Sequence, residues 1–331
     1  MHRVGNLIEQ IAEPENLRIA FYKAMRGKRE KQDVRDFQGN LENNLSMIHR
    51  QILDGELEIG DYHYFKIYDP KERMICAAAF RERVIHQAIM NICDEYFESF
   101  QISNSYATRR GKGTHLAIER ALENSKEKGI FLKLDIRKYF DSIDHEILKM
   151  ILRRRFKDGY LLQIFDKIID SYTTESGKGV PIGNLTSQYF ANYYLAYLDH
   201  YIKEELRVKH YVRYMDDMVL WDNDKAVLKS NLGKIDKYLG EKLKLEMKPI
   251  VLNYTEKGLP FLGYRIYPKG LRLNNRSRKR FIRKAQLYSM NLGNGEWSDR
   301  DYQRHILPLI DFVSKADTYN LRVSVFYKGI N

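Results

Sequence analysis

The stretch Tyr211-Val212-Arg213-Tyr214-Met215-Asp216-Asp217-Met218-Val219-Leu220-Trp221 sets two adjacent carboxylates between two apolar arms. In one extended strand Asp216 and Asp217 would point to opposite faces, so both can approach one site only if the chain turns tightly there. The segment predicts a β-hairpin whose tip presents acid. A further carboxylate stands about eighty residues upstream, where Phe131-Leu132-Lys133-Leu134-Asp135-Ile136 reads as a buried strand ending on Asp135. A core strand has no use for that residue unless a cation or donor meets it. Clustered carboxylates without histidine or cysteine favour a hard cation such as Mg²⁺, which keeps substrate phosphates among its ligands. Two such ions would activate an attacking hydroxyl and stabilise the leaving oxygen of an in-line phosphoryl transfer. A Tyr-x-Asp-Asp string also arises by chance. Its weight comes from its company: Asp135, a glycine-containing turn before a long helix between the two segments, and a basic C-terminal region.

The rest of the chain is consistent with that chemistry. Its 331 residues, 44% hydrophobic and 30% charged, describe a globular protein with room for more than one domain. Cys76 and Cys93 are too few for a zinc cage or a disulfide framework, and no apolar run approaches the ~18 residues of a membrane span. The expectation is a soluble, cytoplasmic protein without a membrane partner. The net charge is +12, and from Arg265 onward fourteen Lys and Arg face five Asp and Glu. The run Arg276, Arg278, Lys279, Arg280, Arg283, Lys284 reads as a footprint for a polyanion or as a solvated helix face. Helical periodicity runs through Ile85, Ala88, Ile89, Ile92, Tyr96, Phe97 and Phe100, and through Phe190, Leu195, Leu198, Tyr201, Ile202 and Leu206. A third helix is expected from an Asp141/Ser142 cap through Ile143, Ile147, Leu148, Ile151 and Leu152. Gly129 to Leu134, Tyr211 to Trp221 and Leu259 to Tyr267 read as strands, giving an α+β protein with helices on one face of a sheet.

At this point the order of motifs resembles the reverse transcriptases. Tyr214-Met215-Asp216-Asp217 matches their signature box, and Leu134-Asp135-Ile136 with Tyr139-Phe140-Asp141 is like their first palm motif. Arg73 and Phe80-Arg81-Glu82-Arg83 resemble the fingers block that grips the incoming triphosphate, with Lys66 a second candidate. Ser105 to Gly111, which contains Arg109, resembles the next fingers block of the group II intron branch. Glu246-Met247-Lys248 fits a later palm lysine, and Phe261-Leu262-Gly263-Tyr264 fits the primer grip. The resemblance implies a right-hand polymerase of fingers, palm and thumb, with a ferredoxin-like antiparallel palm and a helical thumb. It implies two Mg²⁺ ions on Asp135, Asp216 and Asp217, helped by the Ile136 carbonyl, and an aromatic gate at Phe140 against the 2′-hydroxyl. Phe140 could equally be the first core residue of the helix that follows. Lys248 could protonate pyrophosphate, or be one more surface lysine. Arg109, Leu262, Gly263, Tyr264, Arg276, Arg280 and Arg283 would meet primer and template.

One box departs from the common pattern. Where most relatives carry Gln-Gly followed by Ser-Pro, this chain reads Pro181-Ile182-Gly183-Asn184-Leu185-Thr186-Ser187-Gln188, a form resembling the reverse transcriptases of diversity-generating retroelements. Ile182, Gly183, Ser187 and Gln188 would then line the nucleotide. Ile182 replaces an amide that could hydrogen-bond the sugar, or packs beneath the Gly183 turn. Such enzymes, bacterial or phage-encoded, copy a template RNA with errors opposite adenine, consume dNTPs and work with a small basic accessory variability protein. The expected organisation is an N-terminal extension at 1–60, fingers at 61–130, palm at 131–265 with a fingers segment near 150–185, and a helical thumb at 266–331. The rivals are a defence-associated or intron-derived reverse transcriptase and a non-catalytic RNA-binding scaffold.

Overall fold

The computed structural model describes residues 2–68 and 72–327. They form two compact units. The first takes in the chain up to Gly111, Ile136–Arg207 and Gly233–Lys248; the second takes in Lys112–Asp135, Val208–Leu232 and the chain from Pro249 onward. Each unit is assembled from stretches far apart in sequence.

In the first unit the helix Pro14–Met25 packs on Phe80–Glu98 and on Leu41–Leu53. Leu45, Ile48 and Ile52 recur at helical spacing and are buried, and Phe21, Phe37 and Phe80 meet in an aromatic cluster. Strands β1 (Tyr62–Ile67) and β2 (Arg73–Ala78) pair antiparallel as a hairpin. The helix Leu185–His200 carries the buried Phe190, Leu195 and Leu198 and continues through a π-helical turn, Tyr201–Glu205, that buries Ile202. The helix expected to start at an Asp141/Ser142 cap is split. A single turn spans Tyr139–Ser142, and the main helix, His145–Arg155, begins after Asp144, whose carboxylate accepts from Ile147 N. Asp144 has the extended backbone an N-cap needs, which leaves Asp141 inside the preceding turn.

The second unit is built on a four-stranded sheet of β3 (Ile130–Leu134), β4 (His210–Tyr214), β5 (Asp217–Asp222) and β6 (Val251–Tyr254). The spatial order β4-β5-β3-β6, antiparallel throughout, is the ferredoxin-like arrangement that the family resemblance implies. The helix Thr114–Glu127 lies against β4 and β5, where the buried Trp221 donates its indole N–H to Ser125 Oγ. The stretch read as one strand from Leu259 to Tyr267 is a hairpin. Strands β7 (Leu259–Phe261) and β8 (Tyr264–Tyr267) turn at Leu262 and Gly263, both at positive φ, and β9 (Gly270–Leu273) adds to β8. The helices Asn275–Gly293, Asp299–Ser314 and Tyr319–Tyr327 follow, around a core of Phe281, Ala285, Ile306 and Val313. Among the described residues no helix is long and apolar enough to cross a membrane.

Candidate active site

The acidic hairpin closes as the sequence demands. Tyr214 pairs with Asp217 across a two-residue turn of Met215 and Asp216, and Met215 sits at φ 53°. Positive φ at a residue other than glycine costs on the order of 1–2 kcal/mol, a strain that persists only where the surroundings hold it. Two contacts do so here. The Arg213 guanidinium, fully buried, donates to the Met215 carbonyl at 3.3 Å, and Thr114 Oγ1 donates to the Tyr214 hydroxyl at 3.1 Å. The turn leaves Asp216 and Asp217 half-buried, so solvent and substrate reach them.

Strand β3 brings in the third carboxylate. Its ladder with β5 runs from Ile130 opposite Asp222 to Leu134 opposite Met218, so one step further Asp135 comes level with Asp217. Lys133, two residues before Asp135, shares its face of the strand. Its ammonium lies 2.8 Å from Asp217 Oδ2 and 2.9 Å from the Pro260 carbonyl. Sequence reading passed over both Lys133 and Arg213. The signal was there in each case, a cation inside an apolar strand next to the carboxylates.

Carboxylates are the side-chain donors the hairpin offers, and among the described residues no group of three His, Cys, Asp or Glu side chains is placed to hold a metal ion by itself. A small hard cation needs only one or two carboxylates and draws its other ligands from phosphates and water. Asp135 and Asp216 would hold it.

The remaining second-unit residues lie around β8. Gly263 has φ 92°, and a Cβ there would stand 2.8 Å from the Phe312 ring, so only glycine fits the turn. The Tyr264 hydroxyl donates to the Phe312 carbonyl. Arg276, Arg280 and Arg283 are exposed along one face of the helix Asn275–Gly293, while Phe281 and Ala285 are buried on another.

The other expected residues belong to the first unit. Lys66 pairs with Glu72 at 2.7 Å at the end of the β1/β2 hairpin, a half-exposed ion pair of little intrinsic strength. Arg73 opens β2 opposite Ile67, and its side chain lies outside the described residues. Arg81, on the helix Phe80–Glu98, donates to Gln51 Oε1. The Arg109 side chain is 8% exposed, paired with Glu98 and donating to the Ile102 and Ser105 carbonyls. Tyr139 is the buried core aromatic, its hydroxyl donating to the Ala191 carbonyl, while Phe140 stays half-exposed. Ile136 is buried and bridges Met247, next to the half-buried Lys248.

The Ile182 box is stitched to β2. Cys76 N donates to the Ile182 carbonyl at 3.0 Å, and Ala78 N donates to Asn184 Oδ1 at 3.1 Å. Gly183 has φ 123°, and a Cβ would meet Ile75 Cγ2 at 3.0 Å and the Cys76 carbonyl at 3.3 Å, so its glycine is required by β2 as well as by backbone conformation. Ile182 and Gln188 are half-buried and Ser187 is fully buried.

A strained acidic hairpin beside a strand-terminal carboxylate, on a ferredoxin-like sheet, defines the palm of a right-hand polymerase. Known structures share the fold. Telomerase from Candida tropicalis superposes with a TM-score of 0.52 at 12% identity, over 81% of this chain and 59% of its own. Telomerase from Candida albicans, in complex with a fragment of telomeric RNA, gives 0.50 at 12% identity over 83% and 60%. The reverse transcriptase (RNA-dependent DNA polymerase) family profile matches residues 68–266, and the chain belongs to that family of nucleotidyltransferases. Protein YkfC of Escherichia coli K12 is 24% identical over 277 residues, 66% of this chain and 71% of that protein. The group II intron-encoded protein LtrA of Lactococcus lactis is 25% identical over 138 residues, 40% of this chain and only 23% of its own.

Proposed function

We propose that this chain is an RNA-directed DNA polymerase using two Mg²⁺ ions, with Asp135 and Asp216 as ligands beside the Ile136 carbonyl and Asp217 nearby. The observation that carries the reading is the two-residue turn of Met215 and Asp216, which presents an acid at the end of the sheet where β3 gives way to another, Asp135. The bound ions would acidify the primer hydroxyl and neutralise charge on the phosphates. The chain supplies the rest. Lys66, Arg73 and Arg81 would hold the triphosphate, Phe140 would press on the sugar at its 2′ position, and Lys248 would give a proton to departing pyrophosphate. The turn at Leu262, Gly263 and Tyr264 would seat the primer end, and the exposed arginines of the helix Asn275–Gly293 would track the duplex backbone. Arg109 acts within this reading as a structural clamp. Replacing Asp216 with Asn removes a charge from a site that must gather phosphates. Incorporation of dNTPs on a primed RNA template should fall by roughly a hundredfold or more, with RNA affinity within about twofold. Synthesis within tenfold of the original would refute the assignment.

The finer reading is a reverse transcriptase of a diversity-generating retroelement, making adenine-mutagenic cDNA from a template RNA alongside a small basic accessory protein in a bacterial or phage setting. Its support is the sequence form Ile182-Gly183 with Ser187-Gln188. Sequencing of cDNA from an adenine-rich template tests it: errors spread evenly over the four template bases would favour an intron-derived or defence-associated enzyme.

A further inference from the structure

Lys133 joins three segments that the sequence keeps apart. Its ammonium bonds Asp217 Oδ2 on the acidic hairpin and the Pro260 carbonyl on β7, and it stands 5.7 Å from the centroid of the Phe261 ring. Its own strand ends at Leu134 and gives way directly to Asp135, and β7 runs directly into the turn of Leu262 and Gly263. The side chains of Lys133 and Asp217 are only 17% and 21% exposed, so solvent screens the pair weakly and a carboxylate stripped of its cation there would be costly. A compact ammonium on a flexible stem suits the task, because it can divide its donors between acceptors on different segments.

We propose, resting on the polymerase reading, that Lys133 is a positioning residue that sets the primer-grip turn in register with the catalytic carboxylates. The same ammonium restrains Asp217, leaves the metal to Asp135 and Asp216, and cancels one negative charge of the three. Two consequences are separable. Without Lys133 the site binds divalent ions more tightly, because a cation beside the carboxylates is gone and Asp217 is released. Turnover falls all the same, because the primer end is no longer held in line, while the nucleotide, assigned in this reading to Lys66, Arg73 and Arg81, binds as before.

The test compares Lys133→Met and Lys133→Arg with the original protein. Mn²⁺ affinity is read from the electron paramagnetic resonance of free Mn²⁺ without nucleotide, and kcat and KM for dNTP are read on a primed RNA template. Lys133→Met should bind Mn²⁺ at least threefold more tightly, lose at least tenfold in kcat and keep KM within twofold. Lys133→Arg, which restores the charge, should return Mn²⁺ affinity to within twofold and recover part of kcat. If the methionine variant does not fold, Lys133→Gln is read in the same way. Unchanged Mn²⁺ affinity or unchanged kcat in a folded uncharged variant overturns the proposal, as does an arginine variant that restores neither. An original protein that makes no DNA overturns the polymerase reading instead, and the Mn²⁺ measurement still judges the role of Lys133.

Discussion

In the proposed polymerase, Ile182 is the side chain whose chemistry would bear on fidelity. Its carbonyl is tied to Cys76 N, so the main chain is fixed and the side chain alone is left to vary. An isoleucine offers only shape and dispersion, whereas glutamine could add a directional hydrogen bond. A net hydrogen bond is worth ~0.5–1.5 kcal/mol, about 2- to 12-fold in a rate ratio. Ile182→Gln should therefore lower misincorporation, most visibly opposite template adenine, with synthesis retained. Unchanged errors per adenine in sequenced cDNA would remove Ile182 from fidelity, and lost product with a lowered melting temperature would assign it to packing under Gly183. The neighbouring glycine was legible from sequence as a backbone position, but its cause was not: β2 is what crowds it.

The helix Phe80–Glu98 carries a second consequence at the scale of an element. His86 on that helix is fully buried, its Nε2 has no hydrogen-bond partner among the described residues, and burial pushes its pKa down to about 4 from the ordinary 6.5. The unfolded chain then binds a proton that the folded one refuses. Stability from this group is complete above pH 6.5 and is lost as pH falls towards 4, by about 2 kcal/mol between pH 7.5 and 5. Denaturant titrations at both pH values should show this extra loss in the original protein and not in His86→Leu. An equal pH dependence in the two would place the proton elsewhere. The helix itself was readable from its periodicity, as was the one from Leu185. The start of His145–Arg155 was not, because Asp141, Ser142 and Asp144 are all competent caps and only the local backbone selects Asp144.

For the molecule as a whole, the uneven charge becomes a surface. The exposed Arg276, Arg280 and Arg283 follow one face of their helix because the opposite residues Phe281 and Ala285 pack against Ile306 and Val313. Phosphate contacts release counterions, so replacing Arg280 and Arg283 with Gln should reduce the slope of log affinity against log salt by roughly 1.5 for a primer and template duplex. An unchanged slope would assign the face to a protein partner. By itself the amino-acid sequence determined the local facts: the acidic hairpin, the strand leading into Asp135, the helical faces and the basic run. Each rests on residue spacing over a few turns or a single strand, where chain geometry leaves little choice. Tertiary structure alone decided that Lys133 and Arg213 serve the acidic hairpin, that Arg109 is buried in a clamp, and that segments distant in sequence share a unit. Those outcomes depend on which strand lies beside which and on what each side chain meets there, which spacing along the chain does not encode.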